Sequence, residues 1–265
     1  MSQNAIEELQ AIMAKLRCPE SGCEWDLAQR FDTIVPHTIE EAYEVADTIE
    51  RGALDELKAE LGDLLFQVIF YSQLAKEEQR FDFNDVVQNL NTKLKARHPH
   101  IFARQPVTEN WETRKYQARQ ELAQQENAQQ EYVPQLLLAD IPTNLPALSA
   151  ANKVQKRVAS VGFDWPSIDG ALDKVREEID EVTEAIEHDP TSEHCAEEIG
   201  DLLFATVNVA RHLNKDPEQL LRQANRKFSH RFNQVEIHLN AQGQTLSSAN
   251  LEQMEAAWQA VKSRE

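Results

Sequence analysis

The fold of this chain is decided by IEEAYEVADTIERGALDELKAELGDLLFQVIFY, residues 39–71. Apolar residues recur there every three or four positions, which is the period of an amphipathic α-helix. Arg51-Gly52 interrupts the pattern, so the stretch predicts two helices joined by a short turn. The spacing i, i+3 places two side chains on one face of a helix. Two pairs of acids have this spacing: Glu41 with Glu44, and Glu60 with Asp63.

A second stretch, residues 174–213, repeats the first: KVREEIDEVTEAIEHDPTSEHCAEEIGDLLFATVNVARHL. ELGDLLF at 60–66 becomes EIGDLLF at 198–204, with one residue more in the turn. The four acids return as Glu178, Glu181, Glu198 and Asp201. The flanking residues also correspond: Trp25 with Trp165, Asn91-x-Lys93 and Arg97 with Asn225-x-Lys227 and Arg231, and Trp111 and Lys115 with Trp258 and Lys262. The chain is therefore an internal duplication of one helical unit.

Composition excludes several classes of protein. The net charge of −18 over 265 residues argues against binding DNA or RNA polymers along their backbones. Three cysteines without zinc-type spacing argue against a disulfide framework and favour a reducing cytoplasm. No signal peptide is visible, and the longest apolar runs are too short to span a bilayer.

The predicted fold class is all-α, because no alternating strand pattern is found and the helical pattern recurs throughout. We predict an N-terminal helical domain over 1–132, a proline-containing linker over 133–146, and a C-terminal helical domain over 147–265. Pro36 and Thr38 predict the start of the first long helix, with Thr38 as its cap. Asp82 or Asn84 is the predicted cap of a later helix. Residues 108–131 predict an exposed helix.

The acids predict a cation site. Two carboxylates 4 Å apart repel by about 4 kcal/mol at an effective dielectric constant of 20, so a cluster must protonate, face water or hold a cation. Oxygen ligands alone favour Mg²⁺, with Mn²⁺ as a substitute, over zinc. A solvated face is the ordinary interpretation of a single acidic pair. The repetition of the pairs beside apolar stripes, with helix-interior Gly62 and Gly200 at matching positions, favours a site.

Basic residues follow the acids in both copies. Lys227 and Arg231 share a helix face, as do Lys93 and Arg97, either for solubility or to neutralise phosphates beside the metal. Trp258 either stacks on a base or packs in the core. No nucleophile with a partner base and no glycine-rich phosphate loop is found. The residues therefore favour metal-dependent phosphate-ester hydrolysis by water, with a carboxylate such as Glu41 or Glu178 accepting the proton.

The EExxE and ExGD pattern, the pieces RHPHIF at 97–102 and VGFDW at 161–165, and the duplication together resemble the MazG family. The resemblance covers essentially the whole chain. It implies an all-α fold of helical bundles that dimerise. It also implies Mg²⁺-dependent hydrolysis of ribo- and deoxynucleoside triphosphates to the monophosphate and pyrophosphate. The common CPWD stretch reads CEWD here, with Glu24 in place of proline.

The resemblance assigns roles to individual residues. In the C-terminal copy it implies that Glu178, Glu181, Glu198 and Asp201 are the catalytic magnesium ligands. Nucleotide contacts are implied for Lys174, Glu197, Lys227, Arg231, Trp258 and Lys262. The N-terminal equivalents of the metal ligands are Glu41, Glu44, Glu60 and Asp63. We predict that the C-terminal copy is the active one, because its basic helix continues past Arg231 whereas Pro99 ends the N-terminal counterpart.

Two other functions remain open from the residues. One is a non-catalytic helical interaction protein that senses nucleotide or metal. The other is a narrow house-cleaning hydrolase that acts on one deoxynucleoside triphosphate or a damaged nucleotide.

Overall fold

A computed structural model describes residues 5–103, 114 and 136–263. All regular secondary structure in these residues is helical, which confirms the all-α prediction. The chain forms two compact units, residues 1–107 and 108–265. Within the described ranges, no helix is both long enough and apolar enough to cross a membrane. The described residues do not include Trp111, Lys115 or any of the predicted helix 108–131 except Arg114. The predicted domain limits and linker remain predictions.

The first unit contains six described helices. They are α1 (Ala5–Leu16), α2 (Glu24–Ala28), α3 (Phe31–Arg51), α4 (Leu57–Glu77), α5 (Phe83–Arg97) and α6 (Pro99–Phe102). Helices α3 and α4 form the predicted hairpin and pack along each other. Gly52 ends α3 with φ of 74°, a left-handed conformation that glycine adopts without steric cost. The core of this unit is formed by Met13, Ile34, Ile69, Phe70 and Leu74.

The predicted start of the first long helix was wrong. Helix α3 begins at Phe31, so Pro36 lies inside it and Thr38 is not a cap. Thr38 instead donates its hydroxyl to the carbonyl of Ile34, at 3.1 Å. A proline inside a helix removes one hydrogen bond and costs about 3 kcal/mol. The turn that precedes Pro36 buries Ile34 to 1% exposure, which offsets part of that cost.

The cap of α5 agrees with its prediction. The carboxylate of Asp82 accepts hydrogen bonds from the backbone N–H groups of Asn84, at 2.7 Å, and Asp85, at 3.2 Å. Asp85 in turn accepts from the N–H of Asp82 at 2.9 Å, which completes a reciprocal capping arrangement. Of the two candidates, Asp82 is therefore the cap.

The second unit repeats the hairpin of the first. Its described helices are α7 (Ala147–Ala159), α8 (Ile168–His188), α9 (Glu193–His212), α10 (Pro217–Ala241) and α11 (Leu251–Lys262). Helices α8 and α9 pack along each other as α3 and α4 do, and α7 packs on α9 and α10. Helices α10 and α11 enclose a core of Val235, Leu239, Ala257 and Val261. Side chains of Ser167, Ser192, Asp216 and Asn250 cap the starts of α8 to α11.

Candidate metal centres

The hairpin of α8 and α9 brings three of the four predicted acids of the second unit together. One carboxylate oxygen from each of Glu178, Glu198 and Asp201 lies within 4.8 Å of the other two. Glu178 is 3% exposed, Glu198 is half-buried and Asp201 is exposed, so the cluster opens from the helix interface towards solvent. Since the charges come from two elements, their convergence depends on how α8 and α9 pack.

Glu181 adjoins this cluster electrostatically. Partial burial, followed by the negative charge of Glu178 and Glu198, raises the pKa of its carboxyl, while the positive charge of Lys174 opposes the shift. Glu181 is therefore within the field of the other acids, although it is not one of the three whose oxygens lie closest.

Buried Glu178 has one satisfied oxygen and one unsatisfied oxygen. The ammonium of Lys174 lies 2.7 Å from Oε1 of Glu178 and 2.7 Å from Oε1 of Glu177, and both contacts raise the pKa of Lys174. Oε2 of Glu178 is buried and has no hydrogen-bond partner among the described residues. Burying an unpartnered carboxylate oxygen is costly. A hard divalent cation held with Glu198 and Asp201 would remove that cost, so these residues fit a metal ion.

The hairpin of α3 and α4 carries the corresponding cluster. Glu41, Glu60 and Asp63 each place one oxygen within 4.8 Å of the others. Burial raises the pKa of the Glu41 carboxyl, and the charges of Glu44 and Asp63 raise it further. Glu44 is therefore within the field of this cluster, as Glu181 is in the second unit.

The two clusters differ in their neighbours. Glu41 is only half-buried, whereas Glu178 is buried. The position that corresponds to Lys174 is occupied by His37, whose Nδ1 lies 3.6 Å from Glu40 and whose ring meets Trp25 edge to face. The first cluster therefore lacks the lysine that holds Glu178 in the second.

His194, which lies beside the second cluster, was not among the site residues predicted from the sequence. Nδ1 of His194 lies 3.3 Å from Oε1 of Glu198, one turn away on α9. The i, i+4 spacing of His194 and Glu198 was the available signal, since it places both side chains on one helix face.

Of the predicted nucleotide contacts, Lys174 lies at the cluster, Glu197 lies on α9, and the others lie on α10 and α11. On α10 and α11, the guanidinium of Arg231 lies 6.0 Å from the centre of the Trp258 ring, and Phe228 packs 5.2 Å from that ring. Trp258 is half-buried against the core of α10 and α11, so it packs in the core on one side. Lys227, Lys262 and Glu197 are exposed. In the first unit, Lys93 and Arg97 lie on α5.

The fold and these clusters define a class of protein: an all-α, duplicated protein with one cluster of carboxylates in each helical hairpin. The family model described as "MazG nucleotide pyrophosphohydrolase domain" matches residues 29–102 and 168–236. One segment covers each hairpin, which confirms the tandem organisation. The chain belongs to the MazG family.

Two curated relatives are similar over nearly their whole length. The chain is 49% identical to the nucleoside triphosphate pyrophosphohydrolase of Escherichia coli strain K12, over 99% of this chain and 98% of the relative. It is 40% identical to the nucleoside triphosphate pyrophosphohydrolase/pyrophosphatase MazG of Thermotoga maritima, over 97% of this chain and 95% of the relative. The similarity therefore includes both units and the segment between them.

Proposed function

We propose that this protein hydrolyses nucleoside triphosphates, both ribo- and deoxyribo-, to the monophosphate and pyrophosphate at the acids of α8 and α9. The observation that carries this proposal is the buried Oε2 of Glu178, which lies in a cluster of carboxylates and has no hydrogen-bond partner among the residues that the structure describes. The names of the two relatives support the reaction. Mg²⁺ is the proposed cofactor, with Mn²⁺ as a substitute, because the donors are all oxygens.

In the proposed site Glu178, Glu181, Glu198 and Asp201 hold the metal, which would supply charge neutralisation and a more acidic water. Lys174 holds the carboxylate of Glu178 in place through its 2.7 Å contact. A carboxylate of this cluster, such as Glu178, accepts the proton of the attacking water.

Basic side chains of the same unit neutralise the phosphates. Lys227, Arg231 and Lys262 supply positive charge from α10 and α11, and the planar guanidinium of Arg231 suits two phosphate oxygens at once. Trp258 and Glu197 complete the proposed nucleotide contacts. Because the chain as a whole carries a net charge of −18, we propose a single nucleotide as the ligand and no nucleic acid polymer.

The free state of Cys18, Cys23 and Cys195 supports a reducing cytoplasmic location.

The N-terminal cluster is proposed as a weaker or regulatory cation site. It has the same acids, but Glu41 is less buried than Glu178 and His37 replaces Lys174. Helix α5 also ends at Arg97, whereas the equivalent helix of the second unit, α10, continues for ten residues past Arg231, the counterpart of Arg97. The second unit therefore has the more complete set of groups for catalysis.

We also propose that the protein is a homodimer in which α8 and α9 pack against a partner chain. Ile179 and Ile186 on α8 are 48% and 47% exposed, and Ile199 and Leu203 on α9 are 45% and 55% exposed. Exposed apolar side chains on both helices of a hairpin are typical of an interaction surface. Gly200 supports this placement, because a Cβ added there would meet no described atom within 4 Å.

Sedimentation velocity tests the dimer. The wild type should sediment as a dimer, and the pair Ile186→Glu and Leu203→Glu should shift it towards a monomer because a charge would be buried without a partner. Leu251→Glu, at a side chain that is 81% exposed on α11, is the control and should leave the dimer intact. A wild type that sediments as a monomer at all concentrations would contradict the proposal.

Product analysis on a nucleotide panel tests the reaction. With Mg²⁺, each nucleoside triphosphate should yield monophosphate and pyrophosphate in equal amounts, and no product should form with a chelator present. Orthophosphate with diphosphate would mean cleavage of the wrong bond. Turnover of a single deoxynucleotide would favour the narrow hydrolase, and tight binding without turnover would favour the sensor.

A further inference from the structure

One ion pair joins the loop at 162–165, which precedes α8, to the last turn of α9. Arg211 of α9 donates to both carboxylate oxygens of Asp164 in the loop, from Nη1 at 2.9 Å and also from Nη2. Both side chains are partly buried, with exposures of 11% for Arg211 and 28% for Asp164. Hydrogen bonds from Arg211 lower the pKa of the Asp164 carboxyl, so this carboxylate stays charged. A forked pair of this kind fixes both the distance and the orientation of its partners.

Neighbouring groups hold the ion pair in one geometry. Arg211 also donates to Oδ1 of Asn208, one turn earlier on α9, from Nε at 2.9 Å and from Nη2 at 2.7 Å. Nε2 of His212 lies 3.3 Å from Oδ1 of Asp164. The same Oδ1 accepts the backbone N–H of Trp165 at 2.8 Å. The guanidinium is thus oriented by its own helix, and the carboxylate is tied to the next residue of the loop.

Trp165 connects the ion pair to α8 through a close contact. Its ring lies against Gly170 in the first turn of α8, where an added Cβ would approach two ring atoms to 2.8 and 2.9 Å. Gly170 precedes Lys174 by four residues, and the ammonium of Lys174 lies 2.7 Å from Oε1 of Glu178, four residues further on. The contact with the ring, the lysine and the buried acid therefore follow one another on one face of α8, about one turn apart.

Apolar packing holds this loop only weakly. Phe163 is 79% exposed and Trp165 is 47% exposed. A cavity of about 400 Å³ lies between the loop, α7 and α9, and Asp164 and Arg211 are among the residues that line it. Because the loop buries little of its aromatic surface, its attachment to α9 depends on the ion pair.

The ion pair lies at the open end of the hairpin that carries the acids. Residues 189–192 connect α8 and α9 at the other end. Arg211 follows Asp201 by about 15 Å along α9, and Glu178 follows Gly170 by about 12 Å along α8. The cluster of acids therefore lies between the covalent connection and the ion pair. Carboxylates from two helices stay together only if these helices neither slide nor rotate past each other.

The first unit lacks an arginine at the corresponding position. In the register set by ELGDLLF and EIGDLLF, Gln73 corresponds to Arg211 and Phe70 corresponds to Asn208. Gln73 donates to Glu77 on its own helix at 2.8 Å, and Phe70 is fully buried in the core. The forked pair is therefore particular to the second unit, which is also the unit whose cluster contains a buried glutamate.

We propose that Asp164 and Arg211 are positioning residues that hold α8 and α9 in the register at which the acids of the cluster meet. The inference rests on the proposed function, because this register matters for the reaction only if these acids bind the cation. The ion pair acts through Trp165 and the first two turns of α8, and not by contact with the cation. Residues that orient metal ligands typically contribute about 10- to 100-fold to metal affinity.

A calorimetric titration with Mn²⁺ compares two variants that make the same chemical change. Asp164→Asn removes the charge that Arg211 binds and should raise the Kd for Mn²⁺ at the stronger site by about tenfold or more. Asp140→Asn is the matched control, because Asp140 forms an ion pair with Arg157 at similar exposures, 33% and 4%. That pair joins the segment before α7 to α7 and not α8 to α9. Asp140→Asn should therefore leave the Kd for Mn²⁺ near wild type.

Two further positions test the geometry of the contact. Arg211→Lys keeps the positive charge but not the fork, so it should bind Mn²⁺ more tightly than Arg211→Gln and less tightly than the wild type. Gly170→Ala should also weaken Mn²⁺ binding, because the added Cβ would displace the Trp165 ring. Alanine favours a helix more than glycine does, so Gly170→Ala decides if Asp164→Asn does not fold.

Hydrogen exchange of the metal-free protein separates this inference from the proposed function. In Asp164→Asn the amides of the first two turns of α8 should lose protection, and in Asp140→Asn they should keep it. If the wild type binds Mn²⁺ and Asp164→Asn binds it equally well, or if Asp140→Asn weakens binding as much, the inference falls and the proposed function stands. If the wild type binds no Mn²⁺, the proposed function fails, and the exchange of the α8 amides alone decides whether the ion pair positions this helix.

Discussion

Glu178→Gln is expected to lower kcat for nucleoside triphosphates by about a thousandfold, or about 4 kcal/mol of transition-state stabilisation. The substitution keeps the size of the side chain and removes the charge that Lys174 and the proposed cation share. Because a neutral amide is a far weaker ligand for Mg²⁺ than a carboxylate, the loss should persist at saturating substrate. Steady-state release of pyrophosphate measures it, with circular dichroism to verify that the helices are intact.

The duplication supplies a matched control for this experiment. Glu41 is the counterpart of Glu178 in the first unit, so Glu41→Gln makes the same chemical change at the proposed weaker site. Activity should remain within a few-fold of wild type in Glu41→Gln. The opposite result, with activity lost in Glu41→Gln and kept in Glu178→Gln, would assign catalysis to the first unit.

Phe70→Ala is expected to destabilise the first unit by about 3–5 kcal/mol. The ring is fully buried, meets Phe66 edge to face and lies 5.5 Å from the guanidinium of Arg17, so its removal leaves a cavity that its neighbours cannot fill. Chemical denaturation followed by helical circular dichroism measures the change in the unfolding transition of that unit.

Phe102→Ala is the control for this loss. Its side chain is 59% exposed on α6, so truncation should change the free energy of unfolding by no more than about 1 kcal/mol. Equal losses in Phe70→Ala and Phe102→Ala would mean that Phe70 is not central to the core of the first unit.

The helices and the convergence of acids were predictable because both follow from local spacing. An i, i+3 pair shares a helix face in any packing, and a five-residue connection forces α3 and α4 into a hairpin. The acids of the two helices then come close together when the apolar faces of these helices pack against each other. The start of α3 was not predictable in this way, because the burial of Ile34 outweighs a local signal, Pro36, that usually marks a helix boundary.

Features that depend on the third dimension were missed. The cavity beside α9 requires the loop at 162–165 to meet Arg211, and Asp164 of this loop lies 47 residues from Arg211 in the sequence. The exchange of Phe70 for Asn208 was visible in the register of the two copies, but its meaning depends on which residues surround each position. The difference in burial between Glu41 and Glu178 likewise has no signature in the shared EExxE pattern.

As the pH is lowered, the proposed metal sites should begin to lose their cation at a higher pH than sites built from ordinary glutamates would. A cation binds the ionised carboxylates, so protons compete with it. Because burial and neighbouring charge raise the pKa of Glu181 and of Glu41, protonation begins at a higher pH than for an ordinary glutamate. Metal affinity should therefore be full well above these pKa values and fall as the pH is lowered towards them.

A calorimetric titration with Mn²⁺ tests most directly whether the acids of the two hairpins hold a divalent cation. The wild type should bind the ion saturably, Glu178→Gln should lose the stronger site, and Glu41→Gln should keep it. If the wild type takes up no Mn²⁺ at neutral pH, or if Glu178→Gln binds it as the wild type does, the clustered carboxylates are a solvated surface and not a metal centre.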